Sequence, residues 1–314
     1  MQAKLPRIAG PTPGKLIAYF SIYTRSVLAT LCGIFASGLP VAYAGGPSTF
    51  EINNALSGQG RYSFDVRAAG DATSVAIFPI GQAGGFDVMS DFLNFVQVGG
   101  GGAATELRTT GNNTVAFVAQ TGTVISNGNF AGSNGAITWN SEARIAAGSQ
   151  RLELTLNFAS AASFGAVRYI SYFDADVDGA SDDRLVLLDR ASAPNLRLLV
   201  MDDNQRFGIA HGIPSAQLVN ASYRGWVTRP YPLLVNNIRS PSGEVFSASG
   251  VIDLALISVI DTLFPYQTTY TNDNHTHAFA VDLNPTATQA KVVINIDAFP
   301  ILQVDALLKT GFEN

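Results

Sequence analysis

Strict alternation of apolar and polar residues is the feature that most constrains the fold of this chain. It is clearest over residues 151–158, which read Arg-Leu-Glu-Leu-Thr-Leu-Asn-Phe. Successive side chains of a strand point to opposite faces, so this pattern predicts a strand with one buried and one exposed face. The same period recurs at 61–67 and at 289–299. Strands are therefore expected from one end of the chain to the other.

Clusters of turn-forming residues separate these segments. Gly, Asn and Asp are concentrated at 111–113, 127–129, 132–135, 202–204 and 272–274, and these residues accept the backbone conformations that turns require. Many short strands at this spacing predict an all-β fold, an antiparallel β-sandwich with at most one or two short helices. The number of strands leaves open whether it is one large sandwich or a double one.

Local patterns add two hairpins and two ambiguous segments. The apolar runs on either side of 202–205 and of 272–276 predict hairpins with short loops. Residues 87–98 and 251–264 fit an amphipathic helix as well as a buried strand, because a short apolar run is compatible with both.

The first 44 residues have the organisation of a secretory signal peptide. Residues 1–25 carry four basic residues and no acid, and the apolar stretch 26–44 ends in Ala42-Tyr43-Ala44. This order predicts cleavage after Ala44. A membrane anchor is the alternative, but glycines and a proline interrupt the stretch, so we expect no stable membrane span after cleavage.

The composition of residues 45–314 suits a protein outside the cytoplasm. The only cysteine, Cys32, would leave with the signal peptide, so the core rather than disulfides must provide stability. The formal net charge of −5 becomes −9 when the four basic residues are removed, and such a surface repels nucleic acid. We expect one secreted β-sandwich domain at the cell surface or outside it, with the periplasm as another destination. Two packed sandwiches divided near 140–160 are the alternative.

The C-terminal residues carry a short likeness to exported proteins. The chain ends in Thr-Gly-Phe-Glu-Asn314, and the Gly-Phe-Glu within it resembles the endings of many exported proteins of gammaproteobacteria. The resemblance implies a bacterial source and an extracellular or surface destination.

A loop with five aspartates is the clearest chemical feature. The acids lie within ten residues of one another: Asp174, Asp176, Asp178, Asp182 and Asp183. Like charges at this spacing repel at neutral pH unless a cation neutralises them. Residues 174–179 follow the D-x-D-x-D-G pattern in which alternate carboxylates bind calcium and Gly179 permits a sharp turn. Leu185 stands where an EF-hand needs a bidentate glutamate, so the loop is not an EF-hand.

This loop resembles the strand-flanked D-x-D-x-D-G calcium loops of extracellular β-rich and repeat proteins. The resemblance implies a structural Ca²⁺ ion held by the five aspartates and tying two strands together. Extracellular sites of this kind have dissociation constants of about 0.1 to 1 mM. A solvated acidic turn is the alternative, because Asp and Gly are common turn residues.

Residues 223–231 gather three aromatic rings and two arginines. Exposed rings on a sheet can stack on sugars, which makes Tyr223, Trp226 and Tyr231 the candidate ligand-binding residues. The alternative is that Trp226 fills the core while the arginines pair with acids.

No residue of the chain is predicted to be catalytic. Of the three histidines, His211 stands alone, while His275 and His277 fall in the second predicted hairpin turn and are expected to be solvated. Neither a G-x-S-x-G nor an H-E-x-x-H motif is present. We therefore expect a non-catalytic binding, adhesion or matrix component whose partners are polysaccharides or cell-surface components. A polysaccharide-active hydrolase or lyase with aspartates in a cleft is the main alternative, and a structural subunit joined through strand edges is another.

Overall fold

The alternating segment at 151–158 is a strand whose apolar side chains point into the core. In the computed structural model, Leu152, Leu154, Leu156 and Phe158 are buried while Arg151 and Asn157 are exposed. The structure describes residues 41–44, 49–77, 86–111, 113–118, 122–177, 183–188, 197–201, 207–254, 256–259, 268–271 and 275–300.

Twenty strands and one α-helix make up the regular structure of the described residues. The strands are β1 (Val41–Ala44), β2 (Phe50–Asn53), β3 (Tyr62–Val66), β4 (Ala72–Ile77), β5 (Phe86–Asp87), β6 (Met89–Val98), β7 (Thr105–Glu106), β8 (Thr114–Val118), β9 (Thr123–Gly132), β10 (Gly135–Ile145), β11 (Arg151–Ser160), β12 (Val167–Ala175), β13 (Arg184–Leu188), β14 (Arg197–Met201), β15 (Phe207–Gly212), β16 (Ala221–Pro230), β17 (Ile257–Val259), β18 (Thr268–Thr271), β19 (His275–Leu283) and β20 (Gln289–Pro300). The helix is α1 (Leu233–Arg239). Short 3₁₀ turns lie at Ala68–Gly70, Leu107–Thr109 and Ser215–Gln217.

These strands form two antiparallel sheets. The first contains eleven strands in the order β1-β8-β9-β10-β11-β20-β15-β14-β13-β18-β17. The second contains nine, in the order β16-β19-β12-β6-β4-β3-β2, with β5 beside β4 and β7 beside β6. Apolar side chains from both sheets form one large buried cluster between them. The prediction of an all-β sandwich with very little helix is confirmed.

The strand β12 lies in the middle of the second sheet and is paired on both sides. Tyr172 lies opposite Leu93 of β6 and Ala278 of β19. Because side chains alternate along a strand, Tyr169 and Phe173 join the core between the sheets, whereas Ile170 and Tyr172 face the other way. The second sheet therefore has an inner face toward the first sheet and an outer face.

The helix α1 covers the middle of the outer face. Its buried residues Leu234, Val235 and Ile238, together with Phe246 from the following loop, pack on the apolar outer side chains of β6, β12, β16 and β19. A sheet covered on both faces buries nearly every residue of its central strands. Along the strands β6, β12 and β19 the acids Asp91, Asp174 and Asp282 lie toward the ends of this face.

This double burial settles the ambiguity at residues 87–98. Most of the segment is the strand β6, in which seven of ten residues are buried. A strand that packs on both faces has no polar side, so it loses the alternation that would have distinguished it from a helix. In the described part of 251–264 there is no helix either, and Ile257–Val259 is the strand β17.

One of the two predicted hairpins is confirmed and the other is wrong. β14 and β15 pair antiparallel around residues 202–206, which lie outside the described part of the chain. β18 and β19 do not pair, because β18 belongs to the first sheet and β19 to the second. The chain therefore changes sheets between Thr271 and His275, a choice of partner that local turn residues do not encode.

The strand β1 lies in the segment that is predicted to be removed with the signal peptide. It pairs with β8 at the end of the first sheet. Cleavage after Ala44 would make β8 the end strand of that sheet. This cleavage and the single domain over 45–314 stay predictions.

Candidate functional site

The outer face of the second sheet ends in a pair of aspartates. Asp91 of β6 lies directly opposite Asp174 of β12. Both side chains belong to the face that carries Tyr172, because Asp174 is two residues further along the same strand. Residues opposite one another in a ladder have Cβ atoms about 4.5–5.5 Å apart, and like charges in such positions are destabilising. The register thus places two carboxylates side by side beyond the surface covered by α1.

Asp176 adds a third carboxylate to this group, which we call the acidic end (Asp91, Asp174 and Asp176). Asp174 is only 4% exposed. Its burial, followed by the charges of Asp91 and Asp176, raises its pKa to about 7. Burial also raises the pKa of Asp91. Proximity and desolvation therefore both oppose full ionisation here, and a bound cation would relieve both effects.

Two buried oxygen atoms accompany the Asp174 carboxyl group at the acidic end. The hydroxyl of Tyr172, a residue that is 1% exposed, lies beside that carboxyl group and acts through a hydrogen bond to lower its pKa. Oδ1 of Asp176 is buried and has no hydrogen-bond partner among the described residues. The other oxygen of Asp176, Oδ2, accepts a hydrogen bond from the Ser90 hydroxyl at 3.3 Å. Oxygen-rich groups of this kind are the ligands that calcium prefers.

The predicted calcium loop connects the two sheets of the sandwich. Asp174 lies at the end of β12 in the second sheet, and Asp183 immediately precedes β13 in the first sheet. Asp183 is buried and accepts a hydrogen bond from the backbone N–H of Val177 at 3.4 Å. The flanks are strands, as predicted, but the strands belong to different sheets. An ion held by residues from both ends of the loop would therefore link the layers.

Only three of the five predicted ligands fall within the described residues. Asp174, Asp176 and Asp183 do, whereas Asp178 and Asp182 lie outside them. Across the described ranges, no three His, Cys, Asp or Glu side chains are grouped as a metal site requires. The calcium ion therefore stays a prediction.

The three aromatic residues of the candidate sugar contact do not lie on one surface. Trp226 is 2% exposed and packs in the core, where a Cβ atom on Gly250 would come within 2.2 Å of its indole ring. Tyr223 is half-buried, and burial raises the pKa of its hydroxyl. Tyr231 is 48% exposed, and it follows Pro230, which lies opposite His275 at the end of β19 that adjoins the C-terminal end of β12. Tyr231 is thus the exposed ring, and it lies close to the acidic end.

The prediction that His275 and His277 lie in a solvated turn is wrong. Both are buried, and His277 lies with His211 between the two sheets. Nδ1 of His211 is 3.1 Å from Nε2 of His277, and Nε2 of His211 is 2.9 Å from the hydroxyl oxygen of Ser171. The reason is the inward orientation of positions 171 and 277 on the second sheet and of position 211 on the first.

This buried Ser171-His211-His277 chain is a polar bridge between the sheets. The rings of Phe92, Phe173 and Phe279 pack around the imidazole of His211. Burial lowers the pKa of His277 to about 3 and that of His211 well below its ordinary value. A serine beside a neutral histidine resembles a nucleophile and its base. These side chains have almost no exposed surface, however, and a substrate would need access to them.

A second buried polar group was not predicted from the sequence. Oδ1 of Asp71 accepts hydrogen bonds from the backbone N–H of Asn94 at 2.8 Å and from its side-chain amide at 3.0 Å. The guanidinium of Arg108 approaches Oδ2 at 3.1 Å. On this side of β6, Phe92 pairs with β4 and Phe95 with β7, so Asp71 fills the gap between two ladders. A side chain here takes the place of a backbone hydrogen-bond partner, and no residue spacing in the sequence predicts such an arrangement.

Asp71 also carries a perturbed acidity. Burial raises its pKa to about 8, although the hydrogen bonds from Asn94 and the charge of Arg108 act against this shift. The hydroxyl of Tyr169 donates to the side-chain oxygen of Asn94. Asp71 is fully buried, which suits a structural role in holding β4, β6 and β7 together.

Comparison with known proteins gives no family for this chain. No protein-family model and no curated protein match the sequence. Among solved structures, the chain is similar to a bacterial glucoamylase in complex with acarbose, with 10% identity, a TM-score of 0.45 and coverage of 88% of this chain and 37% of the glucoamylase chain. It is also similar to the Slr1438 protein from Synechocystis sp. PCC 6803, with 11% identity, a TM-score of 0.39 and coverage of 82% and 97%. The chain therefore spans little more than a third of the glucoamylase, and likenesses at these TM-scores carry no functional argument.

Within the described part of the chain, no helix is long and apolar enough to cross a bilayer.

The buried histidines make a testable contribution to the pH dependence of stability. His277 has a lower pKa in the folded than in the unfolded protein, so the unfolded state binds more protons between about pH 6.5 and 3. Its stabilising contribution is complete above pH 6.5 and is lost as the pH falls. In urea unfolding, we expect the stability difference between wild type and His277→Gln to shrink by about 1.4 kcal/mol per pH unit across this range.

The control for this experiment is Phe279→Leu, which disturbs the same aromatic surroundings without removing a titrating group. Its stability should run parallel to that of the wild type as the pH changes. Carboxylates such as Asp71 and Asp174 titrate in all three proteins and cancel in the differences. A His277→Gln profile parallel to the wild type would show that His277 is not kept neutral by burial.

Proposed function

We propose that this protein is a secreted or surface-attached bacterial binding protein without catalytic activity, whose acidic end binds calcium and whose adjoining surface contacts polysaccharide. The observation that carries the proposal is the grouping of Asp91, Asp174 and Asp176, in which Oδ1 of Asp176 is buried without a hydrogen-bond partner among the described residues. Export is supported by the predicted signal peptide and by the absence of cysteine after residue 44.

Calcium at the acidic end would act mainly on the structure. Asp174 lies at the end of β12 in the second sheet, Asp176 follows that strand, and Asp183 precedes a strand of the first sheet. An ion shared by these carboxylates would neutralise their repulsion and fix the connection between the layers. Asp178 and Asp182 are proposed to complete the ligand set, in accordance with the D-x-D-x-D-G pattern.

Tyr231 supplies the proposed contact with polysaccharide. It follows the strand β16, which is anchored nearby because Arg229 pairs with Glu244 at 3.2 Å and Asn237 donates to the same carboxylate at 2.9 Å. The exposed ring can therefore be held in place without being covered. Aromatic rings with one apolar face and a polar hydroxyl suit the mixed surface of a sugar. The apolar side chains of Leu233 and Val245 are exposed as well.

A polysaccharide-active hydrolase or lyase is the second candidate. The observation that favours it is the raised pKa of Asp174 opposite a second carboxylate, Asp91. A carboxyl group that keeps its proton near neutral pH can act as a general acid, and most glycoside hydrolases use a pair of carboxyl groups for catalysis. In that case the acidic end would be a catalytic rather than a structural site.

Calcium binding can be tested by thermal unfolding in calcium, in magnesium and in chelator. At a tenfold excess over the dissociation constant, one ion stabilises the folded state by about 1.4 kcal/mol. For a protein of this size we expect calcium to raise the wild-type midpoint by about 2–5 °C, and we expect little change in Asp176→Asn. Glu142→Gln removes the same charge from an exposed position on β10 and should respond like the wild type. Equal responses of wild type and Asp176→Asn would refute the site.

Polysaccharide contact can be tested by a binding assay on insoluble and soluble glycans. Tyr231→Ala should weaken binding by about 0.5–1.5 kcal/mol, the contribution of an aromatic contact, whereas Leu56→Ala removes an exposed apolar side chain elsewhere and should have no effect. Chelator should weaken binding in the wild type. Release of new reducing ends or unsaturated sugars, abolished by Asp174→Asn, would instead establish the enzyme.

A further inference from the structure

A cavity lies at the end of the second sheet opposite the acidic end. Its volume is about 280 Å³, and it is lined by Gly100, Ala166, Arg168, Asp282 and Pro285, with Val167 and Leu283 behind them. Arg168 of β12 lies opposite Asp282 of β19, so the charged pair belongs to the outer face at the far end of the same strands that carry the acidic end. The cavity is slightly below the size range of roughly 300–1,000 Å³ that is usual for small-molecule sites.

In the charged pair of this cavity, the Oδ2 atom of Asp282 accepts only one long hydrogen bond from the described residues. Nε of Arg168 donates to Oδ1 of Asp282 at 2.7 Å, but Nη2 reaches Oδ2 at only 3.4 Å. Nε of Arg224 is 4.0 Å from the same Oδ2 atom, which is beyond hydrogen-bond distance. The side chain of Asp282 is 37% exposed and that of Arg224 is 54% exposed. Nη1 and Nη2 of Arg168 make only long hydrogen bonds within the described part of the chain, to Gln97 and to Oδ2 of Asp282, both at 3.4 Å. Oδ2 and the Arg168 guanidinium therefore offer an acceptor and a donor side by side.

Gly100, one of the lining residues, belongs to a loop of four glycines, Gly99 to Gly102. Three of them, Gly100 included, have positive φ angles, a conformation that other residues rarely adopt. A Cβ atom on Gly100 would lie 3.8 Å from the Cβ atom of Ala166, an ordinary contact, so tight packing with protein atoms does not require a glycine there. Hydrogen bonds from Gly99 N–H to the carbonyl of Ala166 and from the Gln97 amide to the carbonyl of Gly102 hold the loop in place. At Gly100 the cavity is therefore bounded by positioned backbone that a ligand can approach closely.

The chemistry of the lining selects a neutral ligand with adjacent hydroxyl groups. Asp282 disfavours an anion, and Arg168 disfavours a cation, whereas neighbouring hydroxyls can donate to Oδ2 and accept from the Arg168 guanidinium. Ala166 and Pro285 add apolar contact surface, and the volume suits one ring. We propose that this cavity binds a single neutral sugar ring through two adjacent hydroxyls. The site is separate from the acidic end and from Tyr231 and needs no calcium.

The test uses the full chain in chelator, with methyl glycosides of glucose, mannose and galactose as probes in saturation-transfer NMR. We expect saturable binding of at least one glycoside to the wild type. Ala166→Trp places a large ring in the cavity and should weaken this binding more than tenfold. Ala147→Trp adds the same ring at an exposed turn between β10 and β11 and should leave binding unchanged.

Asp282→Asn provides a second variant that keeps the shape of the cavity and does not depend on the folding of Ala166→Trp. It should weaken binding about tenfold, and Tyr231→Ala should have no effect. Absence of binding by every glycoside, unchanged binding in Asp282→Asn, or tighter binding of glucuronate than of methyl glucoside would overturn the proposal. Binding that is lost in Tyr231→Ala would place the sugar at the acidic end instead. If no sugar binds in this cavity, the proposed calcium-dependent binding at the acidic end is unaffected, because thermal unfolding and the glycan-binding assay test it separately.

Discussion

The pairing of β12 with β6 on one side and β19 on the other is the constraint on which the rest of this structure depends. Once these three strands are in register, every residue of the central part of the second sheet is assigned to the inner or the outer face. Ser171 and His277 must point into the core, and Asp174 must lie beside Asp91. A shift of one residue would exchange the two faces and bury the aspartates between the sheets. The candidate sites are thus consequences of register.

Double coverage of the second sheet explains where its polar groups lie. The inner face packs on the first sheet and the outer face under α1, so the middle of both faces is closed to water. Two pairs of polar side chains that remain inside are hydrogen-bonded to one another, Ser171 with His211 and Asp71 with Asn94. Charged groups that can meet ligands are left at the two ends of the outer face, namely the acidic end and the cavity beside Asp282.

The sequence predicted those features that depend on one strand at a time. Residues 151–158 alternate because one face of β11 is open, and the hairpin of β14 and β15 is a contact between neighbours in sequence. Residues 87–98 stayed ambiguous because α1 covers the face that would otherwise be polar. The hairpin predicted around 272–276 was wrong because the choice of sheet is made by distant partners, and the solvated position of the two histidines failed with it.

The sequence predicted only those residues of the candidate site that are close together in the chain. The spacing of Asp174 and Asp176 marks the loop, whereas Asp91 is distant in sequence and joins them solely through the ladder. The facing of Tyr223 relative to Trp226 could not be predicted from sequence, since a bulge between Tyr223 and Gly225 shifts the register of β16. The linkage of the two sheets by the acidic loop was likewise hidden, because flanking strands look alike whether or not they pair.

The most direct test of this account is a calorimetric calcium titration of wild type and Asp91→Asn. Asp91 lies outside the loop and was brought to it by register alone, so its contribution depends on both the fold and the site. Removing its charge should weaken calcium binding several-fold, because a nearby carboxylate attracts the ion, while the number of ions bound stays the same. Equal affinity in the two proteins, or no binding by the wild type, would contradict the account.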